Sequence, residues 1–266
     1  MSYDGSLKFD TKISSEGFKK GIDGLKGIAK GAVTAIGAAS AALGGLGLAA
    51  MKIGADFEAG MSRVEAISGA TSNEMAKLNE LAKKLGADTS FSASEAAAGM
   101  ENLASAGFNA NEMMAAMPGL LDLAAVSGGD VAAASEVAAS ALRAFGLDAS
   151  SAAHVADVFA KAAADTNAEA LDMGEAMKYV APVAHAAGLS IEETAAAVGV
   201  MSDAGIKGSQ AGTALRGALS RLAKPTKPMR ELMDELGLSF YDAKGKMLTL
   251  EKQTEMLQNK FKGLTQ

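Results

Sequence analysis

The fold of this 266-residue chain is decided by the stretch Ser105-Ala106-Gly107-Phe108-Asn109-Ala110. Gly107 can adopt the left-handed backbone conformation that commonly ends a helix, and the apolar residue after it can pack back on that helix. Asn109 is a favoured N-cap residue, and Glu112, three residues later, completes a capping box. The stretch therefore predicts that one helix ends here and the next begins almost at once.

The same order of glycine, apolar residue and helix start occurs twice more, in Ala144-Phe145-Gly146-Leu147-Asp148-Ala149 and in Ala186-Ala187-Gly188-Leu189-Ser190-Ile191. The three structural helix stops, Gly107, Gly146 and Gly188, lie 39 and 42 positions apart. A period near 40 residues accommodates two helices of ordinary length, which predicts an array of short αα hairpins. A compact helical bundle of pseudo-symmetric hairpins is the alternative packing.

Helix boundary signals extend over residues 55–237, which are predicted to form a helical core. Four further capping boxes are predicted, at Thr71–Glu74, Ser92–Glu95, Thr166–Glu169 and Ser190–Glu193. Additional helix starts are predicted at Asp130 and Ser209, and additional stops at Gly86, Gly205 and Gly237. Pro118 and Pro182 interrupt helical patterns and predict kinked or split helices.

Both ends of the chain depart from this pattern. Residues 1–30 begin with the alternating run Leu7–Ile13, which predicts a short strand, and then start a long helix. Residues 238–266 predict a small β-hairpin turning at Gly245, followed by a helix from Leu250 without a stop signal, so we expect the gene product to continue. The predicted fold class is all-α, with these two minor β elements.

Residues 31–54 are predicted to form an apolar helix rich in Ala and Gly. No charged residue occurs from Gly31 to Met51. A row of small residues recurs at four-residue spacing: Gly37, Ala41, Gly45 and Ala49. Residues at this spacing share one helix face, where small side chains permit close helix–helix contact. We interpret the segment as a buried packing helix; its length also fits a membrane segment, and that alternative stays open.

Composition and charge narrow the classes of function. Hydrophobic residues make up 49% of the chain but aromatic residues only 5%, so the core must be built mainly from Ala, Leu, Val and Met. The net charge is −6 and no basic cluster is present, which argues against a specific nucleic-acid site. The absence of Cys excludes disulfides and thiolate metal sites.

None of the residue patterns that support catalysis is present. His154 and His185 lack a second histidine or a carboxylate at metal-ligand spacing. Gly45–Ala50 matches a loose dinucleotide fingerprint but follows no strand, and Gly205–Gly212 lacks the Gly-Lys-Ser/Thr order of a phosphate loop. We therefore predict no catalytic, cofactor-binding or metal-binding residues, and no enzyme.

Three stretches resemble the phage tail tape measure protein family. They are Gly5–Gly21 at the start, Thr89–Phe108 in the middle and Asp203–Pro225 near the end. The C-terminal hairpin also fits the family layout, so the resemblance covers nearly the whole chain and identifies it with the N-terminal and core region of such a protein.

The resemblance implies a structural protein that scaffolds tail tube assembly and tail length and aids genome passage through the host envelope. It implies tail tube subunits and tail assembly chaperones as partners, and self-association in the tail lumen. The implied locations are the virion tail lumen, the host cytoplasm during assembly and, through Gly31–Met51, the host inner membrane on infection. Two alternatives stay open from the residues alone: a membrane-active, pore-forming helical protein and a helical-repeat adaptor.

Overall fold

The structure is a computed structural model that describes the backbone of residues 43–262 and the side chains of residues 52–262. The chain divides into two units, residues 1–52 and 53–266. The predicted strand Leu7–Ile13 lies outside the described residues. The small-residue row from Gly37 to Ala49 lies outside the residues described with side chains, so its packing or membrane role stays a prediction.

The described residues form eleven α-helices, which confirms the predicted all-α class. They are α1 Leu43–Ser68, α2 Ser72–Asp88, α3 Ala93–Ser105, α4 Ala110–Val126, α5 Val131–Phe145, α6 Ala152–Asp165, α7 Ala170–Ala186, α8 Ile191–Asp203, α9 Gly208–Ala223, α10 Lys227–Leu236 and α11 Leu250–Phe261. A single 3₁₀ turn, Ala149–Ser151, precedes α6. Within residues 43–262, no helix combines the length and the apolar character needed to cross a membrane.

Capping boxes begin four of these helices as predicted. The N-cap residues of α2, α3, α4 and α8 each accept a hydrogen bond from the backbone N–H of a glutamate three residues later, whose carboxylate accepts from the cap's own N–H: Thr71, Ser92, Asn109 and Ser190. Asp130 caps α5 in the same way but without a returning acid. These bonds satisfy N–H groups that have no partner within the helix, so the short helices start at defined residues.

Three predicted boundaries are wrong. Thr166 ends α6, because its hydroxyl donates back to the Ala162 carbonyl, and Glu169 is itself the N-cap of α7. The first turn of α9 contains Ser209, whereas the N-cap is Lys207, which makes no side-chain cap bond.

Gly86 is the third wrong boundary, because it lies inside α2 rather than at its end. A Cβ at Gly86 would overlap the backbone of Ala93, so this glycine permits the first turn of α3 to approach. Neither proline splits its helix: α4 continues through Pro118 and α7 through Pro182.

The helices of the second unit stack in two rows. The odd row contains α3, α5, α7 and α9, and the even row contains α2, α4, α6 and α8. Within each row a helix packs on the one two places later in the chain, while short turns join helices of opposite rows. Fully buried alanines such as Ala96, Ala134 and Ala176 let the helices approach closely, and Met100, Leu142 and Phe159 fill the remaining space.

The segment between α10 and α11 contains one isolated antiparallel bridge, between Tyr241 and Met247. The turn inside it has Gly245 at φ 77°. The carboxylate of Asp242 accepts from the backbone N–H groups of Lys244 and Lys246, so the Lys246 donor is not used for a longer ladder. The predicted β-hairpin is therefore present only as a single bridge, and residues 43–262 contain no strand.

Candidate functional site

The three glycine stops have the same local geometry. Gly107, Gly146 and Gly188 each follow a helix and have φ values of 82°, 65° and 82°. In each case the N–H of the next residue donates to a carbonyl five residues earlier, as from Phe108 to Leu103 and from Leu189 to Ala184. This is the longer bond of the Schellman motif, and it folds the apolar residue onto the helix that has just ended.

A basic side chain from later in the chain lies beside each stop. Arg143, near the end of α5, donates to the Gly107 carbonyl at 2.7 Å, and its guanidinium lies 4.1 Å from the centre of the Phe108 ring. His185, near the end of α7, would lie 3.8 Å from a Cβ at Gly146. A helix C-terminus carries partial negative charge and free carbonyls, which favour such neighbours. These contacts join each turn to the next repeat.

The third stop is covered from outside the helical rows. Lys246 belongs to the segment between α10 and α11 that contains the Tyr241–Met247 bridge. A Cβ at Gly188 would lie 3.1 Å from its aliphatic stem. The Lys246 stem thus lies beside Gly188 as Arg143 and His185 lie beside the two earlier stops.

Polar pairs connect successive helices of each row. In the even row, His154 of α6 lies 2.6 Å from the carboxylate of Glu192 on α8. In the odd row, Lys178 of α7 reaches Glu136 on α5 at 2.7 Å, and it also contacts Glu175 of its own helix at 2.6 Å. Burial lowers the pKa of Lys178, but the bonds to both glutamates outweigh that effect and raise it above its ordinary value.

The His154–Glu192 pair also shifts the titration of its acid. Partial burial pushes the pKa of Glu192 upward, but hydrogen bonds from Ser190 and the backbone, together with the His154 contact, leave this pKa below its ordinary value. Glu193, the next residue, instead completes the cap at Ser190. The two adjacent glutamates therefore have separate structural roles.

Close contact between helices of the odd row requires glycine at two helical positions. A Cβ at Gly174 of α7 would overlap the Val137 side chain on α5, and a Cβ at Gly212 of α9 would overlap the backbone of Ala176 on α7. Gly212 lies within the Asp203–Pro225 stretch that carries the family resemblance. Its role is to let α7 and α9 touch backbone to backbone.

Two shallow grooves are present on the described surface. One, of about 430 Å³, is lined by the Gly205–Gln210 turn together with Asp172 and Glu175. Two carboxylates face this turn, and the element before it is a helix, α8, instead of a strand. Both features disfavour phosphate binding in this groove. The other groove, of about 530 Å³, is lined mainly by alanines of α6 and the ends of α4 and α7. Among residues 52–262, no cluster of three His, Asp or Glu side chains is arranged to hold a metal.

The glycine stops could be predicted from the sequence, but the contacts between successive repeats could not. The pairs His154–Glu192 and Lys178–Glu136 are 38 and 42 residues apart, so no local pattern reveals them. Their separations are close to the repeat period, which is the signal that could have suggested them. Gly174 and Gly212 could have been noticed as glycines inside helical patterns, since such residues usually have a packing reason.

These features define the class of the protein. It is an all-helical protein whose described part is organised around contacts between stacked helices: glycine stops, the basic side chains beside them, and close-contact glycines inside helices.

Comparison with known proteins identifies the family. Residues 79–266 match the sequence model of the family described as phage-related minor tail protein. The chain is 63% identical over 253 residues to the tape measure protein of Pneumococcus phage Dp-1, covering 95% of this chain and 22% of that protein. It is 37% identical over 221 residues to a probable tape measure protein of Escherichia phage P2, covering 81% of this chain and 27% of that protein.

The chain therefore belongs to the phage tail tape measure family, which confirms the resemblance seen in its motifs. It spans about a quarter of the length of these two relatives. No solved structure matches it.

Proposed function

We propose that this chain supplies the N-terminal and core region of a phage tail tape measure protein and acts as a scaffold in tail tube assembly. The observation that carries the proposal is the 63% identity to the Dp-1 tape measure protein across 95% of this chain. The repeat interfaces support it, because they use side chains and backbone for helix packing rather than for chemistry on a substrate.

The geometry favours a role in assembly contacts over a direct role as a ruler. A single continuous helix of 266 residues would extend about 400 Å at 1.5 Å per residue. The described helices instead fold back on one another every 10 to 26 residues and contribute far less length. We propose that tail length is set by the whole protein, of which the described helices form a compact part.

The proposed partners are tail tube subunits and tail assembly chaperones, together with further copies of the chain in the tail lumen. The proposed locations are the tail lumen and, during assembly, the host cytoplasm. Contact with the host inner membrane through Gly31–Met51 is proposed only as a step in genome passage. The relatives named as tape measure proteins favour this scaffold over a pore-forming protein or a free adaptor.

Mass spectrometry of purified tails tests the proposal. Tails, heads and host cytoplasm are separated from the same lysate, and peptides of residues 53–262 are quantified in each fraction. We expect these peptides in tails at a constant ratio to the tube subunit, with heads as the control. Peptides found in the cytoplasm alone, in lysates that contain finished tails, would contradict the proposal.

A further inference from the structure

Charge is distributed unevenly along the chain. Residues 53–203 contain 21 acidic and 7 basic residues, which gives them a net charge of −14. Residues 204–230, which include α9 and the start of α10, contain six Lys or Arg residues and neither Asp nor Glu. These basic residues lie three or more positions apart, so they form no compact basic run, and the acidic net charge of the whole chain conceals them. The helices up to α8 are therefore acidic, whereas α9 and the start of α10 are basic.

Five of the six residues are exposed, and together they are here called the basic face: Arg216, Arg221, Lys224, Lys227 and Arg230. They follow one another along the second half of α9 and the first turn of α10, on both sides of the turn at Pro225. The Arg230 side chain donates to the Pro225 carbonyl at 2.7 Å, which holds it at this turn. The turn thus brings the basic end of α9 and the basic start of α10 together.

Acidic side chains neutralise little of the basic face. Among residues 52–262, no carboxylate pairs with Arg216, Arg221 or Lys224. Lys227 has one partner, Glu231 of its own helix, at 3.8 Å. This part of the surface therefore keeps most of its positive charge.

Helix stability accounts for only some of these charges. Arg221 lies in the last turn of α9, where a positive charge is favourable because the end of a helix carries partial negative charge. Lys227 and Arg230 lie instead in the first turn of α10, which contains no acidic residue. A positive charge at the start of a helix is unfavourable. These two residues therefore call for an explanation other than the stability of α10.

The uncharged side chains around the basic face are small and polar. Gln210, Thr213 and Ser220 of α9 are exposed, and a Cβ at Gly217 would contact nothing, so this side of the helix is open. None of the large apolar side chains that are exposed in residues 52–262 lies between positions 208 and 230. Protein interfaces are usually centred on aromatic or aliphatic anchors, whereas Arg, Lys, Ser, Thr and Gln make the contacts to nucleic-acid phosphates. The composition of this surface favours a nucleic acid over a protein as its partner.

We propose that the basic face contacts the phosphate backbone of a nucleic-acid duplex without reading its sequence. A positive charge that neutralises a phosphate releases counterions, and this release supplies most of the free energy of non-specific binding. The net charge of −14 on residues 53–203 repels a duplex from the earlier helices, so the duplex approaches from the side of α9. Screening at physiological salt limits that repulsion to about 8 Å, so it does not cancel the attraction at the basic face.

The inference rests on the proposed function only for the source of the duplex, because genome passage brings DNA through the tail. Its failure and that of the proposed function are distinguishable. If the full chain does not bind DNA but its peptides are found in purified tails, the inference is overturned and the proposed function stands.

Fluorescence anisotropy of a labelled DNA duplex, titrated with the full chain, tests the proposal. The duplex has about 20 base pairs, which makes it longer than α9. We expect a Kd of about 10⁻⁵ M or tighter at about 50 mM salt, the same for duplexes of different sequence, and a loss of affinity of about a hundredfold or more at about 200 mM salt. A weaker Kd at the lower salt concentration, or an affinity that does not depend on salt, would overturn the proposal.

A matched pair of variants locates the contact. Arg221→Gln combined with Lys224→Gln removes two charges from the basic face, which should weaken binding about tenfold or more and reduce the slope of log affinity against log salt by about two. Lys77→Gln combined with Lys84→Gln removes two exposed charges from α2 and should leave the affinity unchanged. Unchanged binding by the first variant, or equal weakening in both, would overturn the assignment to the basic face.

A second variant guards against a local change at the end of α9. Arg216→Gln combined with Lys227→Gln alters the face inside α9 and at the start of α10, and it should weaken binding to a similar extent. If only the variant at Arg221 and Lys224 loses affinity, the loss reflects the helix end and the proposed face is wrong.

Competition with polyglutamate tests the class of the partner. A duplex carries its charges more densely than an extended polypeptide, so polyglutamate should displace it only at an excess of charge of about tenfold or more. Displacement at equal charge would overturn the assignment to a nucleic acid and indicate an acidic protein surface instead.

Discussion

Gly146 ends α5 with a φ of 65°, a conformation that residues with a Cβ rarely adopt. A Cβ there would make only an ordinary contact with His185, so the demand for glycine comes from the backbone angle and not from lack of space. The angle also sets the direction of Leu147, whose N–H donates to the Leu142 carbonyl at 2.8 Å. One backbone angle thus determines where α6 can start.

We expect Gly146→Val to destabilise the array by about 1–3 kcal/mol, because a β-branched residue is strained at positive φ. Gly146→Asn is the matched control, since Asn tolerates this conformation better and should cost less. Denaturant unfolding measures both. Equal stability of the valine variant and the unaltered chain would show that the turn does not constrain the fold.

The charges of Asp122 on α4 and Asp157 on α6 repel each other within the even row. Asp122 is an exposed residue, yet the neighbouring helices crowd it, and this partial burial raises the pKa of its carboxyl, with a further rise from the charge of Asp157. A carboxyl whose pKa is higher in the folded state reduces stability when ionised, and this cost disappears as the pH falls below its ordinary value of 3.8.

We therefore expect Asp122→Asn to raise the free energy of unfolding at pH 7, by about 0.5 kcal/mol or less because the site is largely open to solvent. The gain should shrink toward zero as the pH is lowered through 4. Thermal melting at pH 7 and at low pH measures the difference. A lower free energy of unfolding for Asp122→Asn at pH 7 would contradict this, because it would show that the ionised Asp122 carboxylate is stabilised by its surroundings.

At the scale of helices, the decisive contacts are those between α7 and its neighbours in the odd row. Gly212 of α9 contacts the backbone of Ala176, where a Cβ would overlap, whereas Gly217 of the same helix has open space around it. Glycine lowers the intrinsic stability of the helix equally at both positions. Only at Gly212 does the packing of the neighbouring helix require it.

We expect Gly212→Ala to destabilise the array by about 1–3 kcal/mol, because two backbones must move apart to admit the methyl group. Gly217→Ala should stabilise it by about 0.5–1 kcal/mol, because alanine is the better helix former. Denaturant unfolding of the two variants provides a matched comparison within one helix. Equal effects of the two substitutions would show that α7 and α9 are not in backbone contact.

The helix boundaries could be predicted largely from sequence, because capping is a local interaction. Thr71, Ser92, Asn109 and Ser190 begin helices as their capping boxes predict. Thr166 does not, because its hydroxyl can bond either forward or backward and in the fold it bonds backward to Ala162. Local pattern alone does not distinguish these two bonds.

The repeat interfaces could not be predicted in the same way. Sequence indicated where each hairpin turns, but not that helices two places apart in the chain pack on one another. The partners Glu192 for His154 and Gly107 for Arg143 depend on that stacking. Likewise, the residues around the Gly245 turn predicted a hairpin, and the Asp242 side chain, by accepting from the Lys246 N–H, limits it to one bridge.

At the scale of the whole molecule, the packed helices lie within the part of the chain that shows its family membership. Residues 79–266 match the phage-related minor tail protein family, and Gly174 and Gly212 fall inside that match. If the scaffold role depends on the packed array, substitutions that separate helices of the odd row should impair tail assembly.

The most direct test introduces Gly212→Ala and Gly217→Ala separately into the phage gene that encodes this chain and counts complete tails by electron microscopy. The measurement is made at a temperature where the purified Gly212→Ala chain is largely unfolded. We predict few complete tails with Gly212→Ala and the normal number with Gly217→Ala, because only the first substitution separates α7 from α9. Normal tails in normal number from the Gly212→Ala phage would contradict the claim that this chain works in the tail as a packed helical array.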